Sequence, residues 1–254
     1  MKKLIIDLNA DVGERPEALA NGTEEKIISL ISSANIACGG HAGDEATMEK
    51  VSKLCAKHDV AAGAHPSYPD RKNFGRVEMK ISSEEIQDSI FEQVKTLGRI
   101  AELNKIILHH VKPHGALYNV ASQNRNVAEA IARGVALYNE NLILVGLAGS
   151  TMLEVWKEMG FRVAAEAFAD RAYESNGQLR SRTKPDALIT DPERAARQAI
   201  TIVKNQKVVS MDGTEMTLQA QTICVHSDTT GAREIISSLR QKFKEEMIVV
   251  QPFM

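Results

Sequence analysis

The stretch NIACGGHAGD, residues 35–44, sets two glycines, a histidine and an aspartate directly behind an apolar run. Glycine packs poorly inside a strand and an unpaired buried imidazole costs free energy, so the polar half cannot continue a buried strand. The segment reads as a strand end passing into a loop at the mouth of a site. Whether other strands end the same way decides the fold.

Working outward, short apolar runs alternate with longer segments of helical period, the pattern of parallel strands joined by crossover helices. Strands are expected at about 3–9, 34–38, 59–64, 106–112, 142–147, 162–167 and 221–226. Between them, SSEE (82–85) is a capping box ahead of Ile86, Ile90, Val94 and Leu97 on one helix face. Asp191 followed by Pro192 reads as an N-cap and a first-turn proline, and Thr151 with Glu154 as a weaker box. The stripes through Met48, Val51 and Cys55, and through Ile235, Leu239 and Phe243, are core positions. MDGTEM (211–216) predicts a short hairpin before the last strand. The polar, Gly-containing segments 68–77 and 170–185 suit loops lying over a site.

Residues two apart in a strand share a face. Asp7, Asn9 and Asp11 are grouped this way, as are His110, Lys112 and His114; Glu166, Phe168 and Asp170; and Cys224, His226 and Asp228. His41 follows the second strand and His65 the third. In a closed or nearly closed parallel barrel all these ends meet at one rim, where barrel enzymes place their sites. The GGHAGD segment then becomes one rim loop, its glycines letting backbone approach a ligand and the next helix N-terminus favouring an anion. His58, within a helix, and His109, facing away from His110, read as structural, and Asp44 as a helix N-cap.

The totals are ordinary for a soluble globular protein. With 254 residues, 43% hydrophobic and 25% charged, the chain is sized for one domain, 1–254. A net charge of -2 offers no electrostatic case for nucleic acid or an anionic membrane, which leaves small molecules or protein partners. No run approaches the roughly 20 apolar residues that span a bilayer. Asp7 interrupts the opening apolar run too early for a signal peptide, and three widely spaced cysteines suit reduced thiols in the cytoplasm. A phosphate loop G-x-x-x-x-G-K-[ST], an H-E-x-x-H helix and a G-x-S-x-G elbow are all missing.

In this order, DLNADVGE, NIACGGHAGD, GAHPSYPD, FGR, KPHGALYN, EAFADRAY and CVHSD closely resemble the LamB/YcsF family, known as the A subunit of the bacterial three-subunit 5-oxoprolinase. The likeness runs nearly end to end. It departs at Ala10, where the family often has Cys; at Asn73, in place of Gly before FGR; at Val77, where a second Arg is common; and at Ser227, in place of the Gly of CVHGD. Asn at 73 is a mild change because Asn tolerates positive φ, whereas Ser227 bears on the shape of the rim backbone.

The resemblance implies an α/β fold, a distorted seven-stranded (β/α) TIM-like barrel of the glycoside hydrolase/deacetylase superfamily. It implies cleavage of 5-oxo-L-proline to L-glutamate coupled to ATP hydrolysis, with subunits B and C as partners. ATP is thus an expected cofactor, without an assigned binding subunit, and a divalent metal is a further candidate with no ligand assigned. Such chemistry needs a base, a proton donor and cations for developing negative charge. Asp11, His41, Lys112, His114, Glu166 and Asp170 are the catalytic candidates; Asp7, Asn9, Asn35, His65, Arg171 and His226 are the substrate-binding ones. Asp11 or Glu166 suits the base, His114 or His41 the proton donor, and Lys112 and Arg171 the negative charges, although Arg171 could equally pair with Asp170. Two other readings stand beside this one. The same carboxylates and imidazoles could make a metal-dependent deacetylase-like hydrolase, or the chain could be a non-catalytic subunit that only binds substrate.

Overall fold

The computed structural model describes residues 3–253, so Met1, Lys2 and Met254 of the expected 1–254 domain lie outside the described residues. β1 (Ile5–Val12), β2 (Ser33–Ala37), β3 (Ala61–His65), β4 (His110–Val111), β5 (Ile143–Leu147) and β6 (Val163–Phe168) succeed one another in a parallel sheet. A hairpin of β7 (Lys207–Val209) and β8 (Glu215–Thr217) leads to β9 (Thr222–Cys224). β9 pairs with β6 through Glu166 and Thr222 and with β1 through Asp7 and Thr222, which closes the barrel. β10 (Val249–Val250) adds to the start of β1. The closed barrel of parallel strands and the hairpin are those the sequence predicts.

Helices cover the outside. α1 (Pro16–Ala20) and α2 (Thr23–Ile28) follow β1, α3 (Glu45–His58) follows β2 and α4 (Ser83–Leu103) follows β3. α5 (Gly115–Ala121) and α6 (Arg125–Tyr138) follow β4, α7 (Thr151–Glu158) follows β5, α8 (Pro192–Asn205) follows β6 and α9 (Ala232–Glu245) follows β9. The capping box at Ser82 and Glu85 forms, and the Asp191 side chain accepts from the Arg194 backbone N–H. At α7 the expected box does not: Ser150 is the N-cap and Thr151 already lies within the helix. Asp44 caps α3 by accepting from Thr47 N–H. No helix among the described residues is long and apolar enough to cross a membrane.

Ile6, Leu8, Ala10 and Val12 of β1 join the apolar cluster between sheet and helices, so alternation turns Asp7, Asn9 and Asp11 into the barrel. Contacts across the lumen confirm this. Asn9 on β1 reaches Glu166 on β6 at 3.0 Å, and His110 on β4 reaches Asn35 on β2 at 2.8 Å, although neither pair of strands is adjacent. The lumen is therefore filled by hydrogen-bonded polar side chains rather than by layers of branched apolar ones. β4 is shorter than expected. Ladder-like bonds from His109 N–H to Ala62 O and from Lys112 N–H to Ala64 O extend it slightly, but Lys105 turns with φ +59° and Ile107 is left 89% exposed.

Candidate active site

Lys112 stands one residue past β4 and buries its ammonium at the centre of the barrel mouth. Its Nζ donates to Asp11 Oδ1 at 2.9 Å and lies 2.9 Å from Glu166 Oε1 and 3.2 Å from Cys224 Sγ. Burial alone would raise the Asp11 carboxyl, yet its neighbours His65 and Lys112 outweigh it and hold Asp11 well below the usual carboxylate range. Burial would lower Lys112, and Asp11, Cys224 and Glu166 together keep it well above the ordinary lysine value. Asn35 donates from Nδ2 to Asp11 Oδ1 at 2.8 Å, so its Oδ1 accepts from His110 Nε2. Glu166 is fully buried: Asn9 and Lys112 occupy one oxygen and the Tyr118 hydroxyl donates to the other at 2.8 Å.

Beside this pair lies a cluster of imidazoles. Gly13, at φ +76°, turns the chain out of β1 so that Glu14 folds back over the rim, with its Oε1 3.0 Å from His41 Nε2 and 3.3 Å from His114 Nδ1. The His41 and His114 rings stack at 3.7 Å, and the Phe74 ring meets both edge-on. Burial, reinforced by Asp11, pushes the Glu14 carboxyl up to about 7. Burial, reinforced by neighbouring histidines, pushes His41 and His114 well below the ordinary imidazole value, which keeps both neutral.

The third wall carries charge. His226 places Nδ1 3.1 Å from both Asp170 oxygens, its ring stacked on Phe168, and Thr229 Oγ1 donates to Asp170 at 2.6 Å. Burial would raise Asp170, but His226 outweighs it and lowers the carboxyl. Asp228 accepts from both Arg76 and Arg182. Arg171 donates from Nη2 to the Arg180 carbonyl at 2.6 Å, and its buried Nε has no hydrogen-bond partner. Burial, then the neighbouring Arg182, lowers Arg171 to about 10. A cavity of about 440 Å³ opens between these walls, bordered by Asp11, His65, Lys112, His114, Arg171 and His226.

The sequence profile of the LamB/YcsF family matches residues 6–254. The chain belongs to the LamB/YcsF family. It is 49% identical over 248 residues to a protein named as the A subunit of 5-oxoprolinase from Chloroflexus aggregans, covering 98% of each chain. It is 45% identical over 246 residues to one of the same name from Staphylococcus aureus, covering 97% of this chain and 98% of that one. A crystal structure of a lactam utilization protein from Thermus thermophilus superimposes with a TM-score of 0.91 at 41% identity, covering 98% of this chain and all of the other.

In this LamB/YcsF chain the expected site residues fall at different depths. Asp11, His65, Lys112, His114, Arg171 and His226 border the cavity. Asn9, Asn35 and Glu166 lie beneath it and hold the Asp11–Lys112 pair, His41 lies behind His114, and Asp170 lies behind His226. Asp7 sits deepest, where the hydroxyls of Ser32, Ser33 and Thr222 occupy its carboxylate, so it does not reach a substrate in the cavity. Arg171 does not pair with Asp170, whose bonds go to His226 and Thr229.

The opening loop is held by its own contacts. Gly43 is needed because a Cβ there would stand 2.8 Å from Ala37 O, and Gly40 because one would stand 2.4 Å from Gln93 Oε1. These glycines seat the loop against its own scaffold. At the N-terminus of α3 the Asp44 carboxylate already accepts from the Thr47 N–H. Sequence reasoning passed over Glu14, Arg76, Tyr118 and Arg182. Tyr118 was signalled by its place one helical turn after His114, and Arg182 by the loop over the site; Glu14 falls out of strand phase because of Gly13.

Asp7 carries a test of its own. Burial raises its carboxyl from 3.8 to about 6 against the pull of its three hydroxyl donors. A carboxyl raised on folding contributes stability that is present below the unfolded value and lost as pH rises through the folded one, here between about pH 4 and 6, amounting to about 3 kcal/mol. Asp7→Asn is expected to flatten that part of the profile. Urea unfolding at pH 4 and pH 7 measures it: a difference between the two pH values identical in wild type and variant would mean that Asp7 is not protonated on folding.

Proposed function

We propose that this chain is the A subunit of an ATP-hydrolysing 5-oxoprolinase, acting with subunits B and C in the cytoplasm. In this reading 1–254 is one (β/α) barrel domain, a reading supported by the large apolar cluster that runs from Ile6 to Ile248. The substrate comes from the names of the relatives. The observation that carries the reading is that Asp11, a carboxylate held ionised, opens on the same cavity as Arg171, a buried cation whose Nε lacks a partner. Opening a lactam that bears a carboxylate needs both.

The five-membered lactam is a stabilised amide that re-forms readily from glutamate, which is the reason for coupling to ATP. Activation of the lactam oxygen by phosphoryl transfer makes the ring carbon electrophilic. Asp11 takes a proton as water adds to that carbon, the C–N bond breaks, and the nitrogen leaves as an amine after gaining a proton, which gives γ-glutamyl phosphate; a second water then cleaves the acyl phosphate to glutamate and inorganic phosphate. His226 suits the donor better than His114 or His41. Asp170 holds its Nδ1 and can stabilise an imidazolium, and one His226 ring nitrogen lies within 4.8 Å of an Asp11 oxygen. The His114 ring instead gives its Nε2 proton to the Phe74 carbonyl. Lys112 steadies charge at the oxygen and Arg171 receives the substrate carboxylate.

Reconstitution tests the whole reading: glutamate should appear from 5-oxo-L-proline only when this chain, subunits B and C and ATP are all present. Turnover without ATP would favour the hydrolase alternative. Arg171→Met is expected to raise KM for 5-oxo-L-proline about 10- to 100-fold, the loss of one charge-assisted hydrogen bond, with a smaller change in kcat. An unchanged KM in a variant of unchanged melting temperature would remove Arg171 from substrate binding.

A further inference from the structure

We infer that Glu14, His65 and His114 form a binding site for a divalent first-row transition-metal ion, of the Zn(II) class, at the edge of the barrel mouth. The inference goes beyond the lactam reading and stands without it. His65 donates from Nδ1 to the Lys112 carbonyl at 2.7 Å, and His114 donates from Nε2 to the Phe74 carbonyl at 3.0 Å. A carbonyl only accepts, so each bond fixes a ring proton on the nitrogen that faces the backbone. The remaining nitrogens, His65 Nε2 and His114 Nδ1, therefore point lone pairs at each other across 3.0 Å. Glu14 Oε1 joins them at 3.3 Å from His114 Nδ1 and 3.9 Å from His65 Nε2.

Three electron-pair donors converging in a buried space require a proton or a metal ion among them. The spacing suits a metal: ligands about 2.0–2.1 Å from a tetrahedral ion stand about 3.3 Å apart. Imidazole protons given to backbone carbonyls are also the arrangement that orients metal-ligating histidines. Two imidazoles and a carboxylate leave further coordination positions free, and Asp11 Oδ2, 3.4 Å from His65 Nε2, borders them on the cavity side. His41 is a positioning residue: its ring is parallel to that of His114 and so does not aim its in-plane lone pair at the same point, but its Nε2 lies 3.0 Å from Glu14 Oε1 and fixes that carboxylate. Phe74 roofs the cluster, and Gly75 lets the loop lie down on it, since a Cβ there would come within 3.0 Å of His41 Cβ and 3.1 Å of His114 Cδ2.

The competing occupant is a single proton on His65 Nε2, and metal titration separates the two. The full chain, stripped with chelator, is titrated with Zn(II) by calorimetry and with Co(II) by visible absorption, without substrate or other subunits. The expected result is one equivalent bound with sub-micromolar Kd and a Co(II) spectrum showing nitrogen ligation. Glu14→Gln, which keeps the side-chain shape, and His114→Ala should each weaken Zn(II) at least tenfold, while His58→Ala, on the outer face, should bind as wild type. Zn(II) binding no tighter in wild type than in a folded His65→Ala/His114→Ala variant would overturn the site and leave the proton as occupant. Glutamate release is not read in this experiment, so its outcome is independent of the lactam assignment.

Discussion

Asp11→Asn is expected to lower ATP-dependent glutamate release by about 10²- to 10⁴-fold, the range that a positioned general base supplies. The substitution spares the geometry. An asparagine Oδ1 can still accept from Lys112 and Asn35, the two donors that face Asp11 Oδ1, and its amide would point toward His65 Nε2, 3.4 Å from the present Oδ2. What is lost is the capacity to take a proton at neutral pH. Because the base acts in the transition state, kcat and kcat/KM should fall together while KM stays within a few-fold. Steady-state kinetics in the reconstituted complex provides the measurement. Full turnover by the variant would eliminate Asp11 as the base.

Lys112→Met is expected to destabilise the fold by about 3–5 kcal/mol, the usual consequence of removing one partner from a buried ionic cluster. The side chain is 3% exposed, and its ammonium is shared by Asp11 and Glu166, whose oxygens have no other lysine or arginine among their hydrogen-bond donors in the described residues. Methionine fills most of the same volume, so the cost is electrostatic rather than a cavity. Adding Glu166→Gln should recover part of the loss by removing one stranded carboxylate. Urea unfolding of the single and double variants at pH 7.5 reads both effects. A loss below about 1 kcal/mol would show that the carboxylates are neutral in the folded protein.

Much of this was legible in the sequence because strand period and helix caps are local signals. Residues 34–38 and 142–147 were placed within one residue of β2 and β5, and Ser82 with Glu85 marked the start of α4. β1 was predicted to stop at residue 9, three short of its end, because Asp11 looks like a loop residue until the polar lumen is known. Depth was not legible. Period two groups Asp7 with Asp11, but only the strand register shows that one lies beside Thr222 below the other's level. Long-range pairs such as Asn9 with Glu166, or Arg182 with Asp228, leave no trace in local pattern.

Backbone detail was equally out of reach. Asn73 does not need the positive φ that Asn tolerates, because the left-handed residues are Phe74 and Gly75. Ser227 has no left-handed backbone, so its Cβ is accommodated, and its carbonyl accepts from Arg15 Nη2 at 2.6 Å.

Diffraction from crystals of the Asp11→Asn chain soaked in 5-oxo-L-proline is the most direct measurement, because it locates the substrate while the ring stays closed. The expected density lies in the barrel mouth, with the carboxylate on Arg171 and the lactam carbonyl toward Lys112. Ordered substrate bound anywhere else on the chain, with the mouth empty, would contradict the assignment of this rim as the place where the ring is opened.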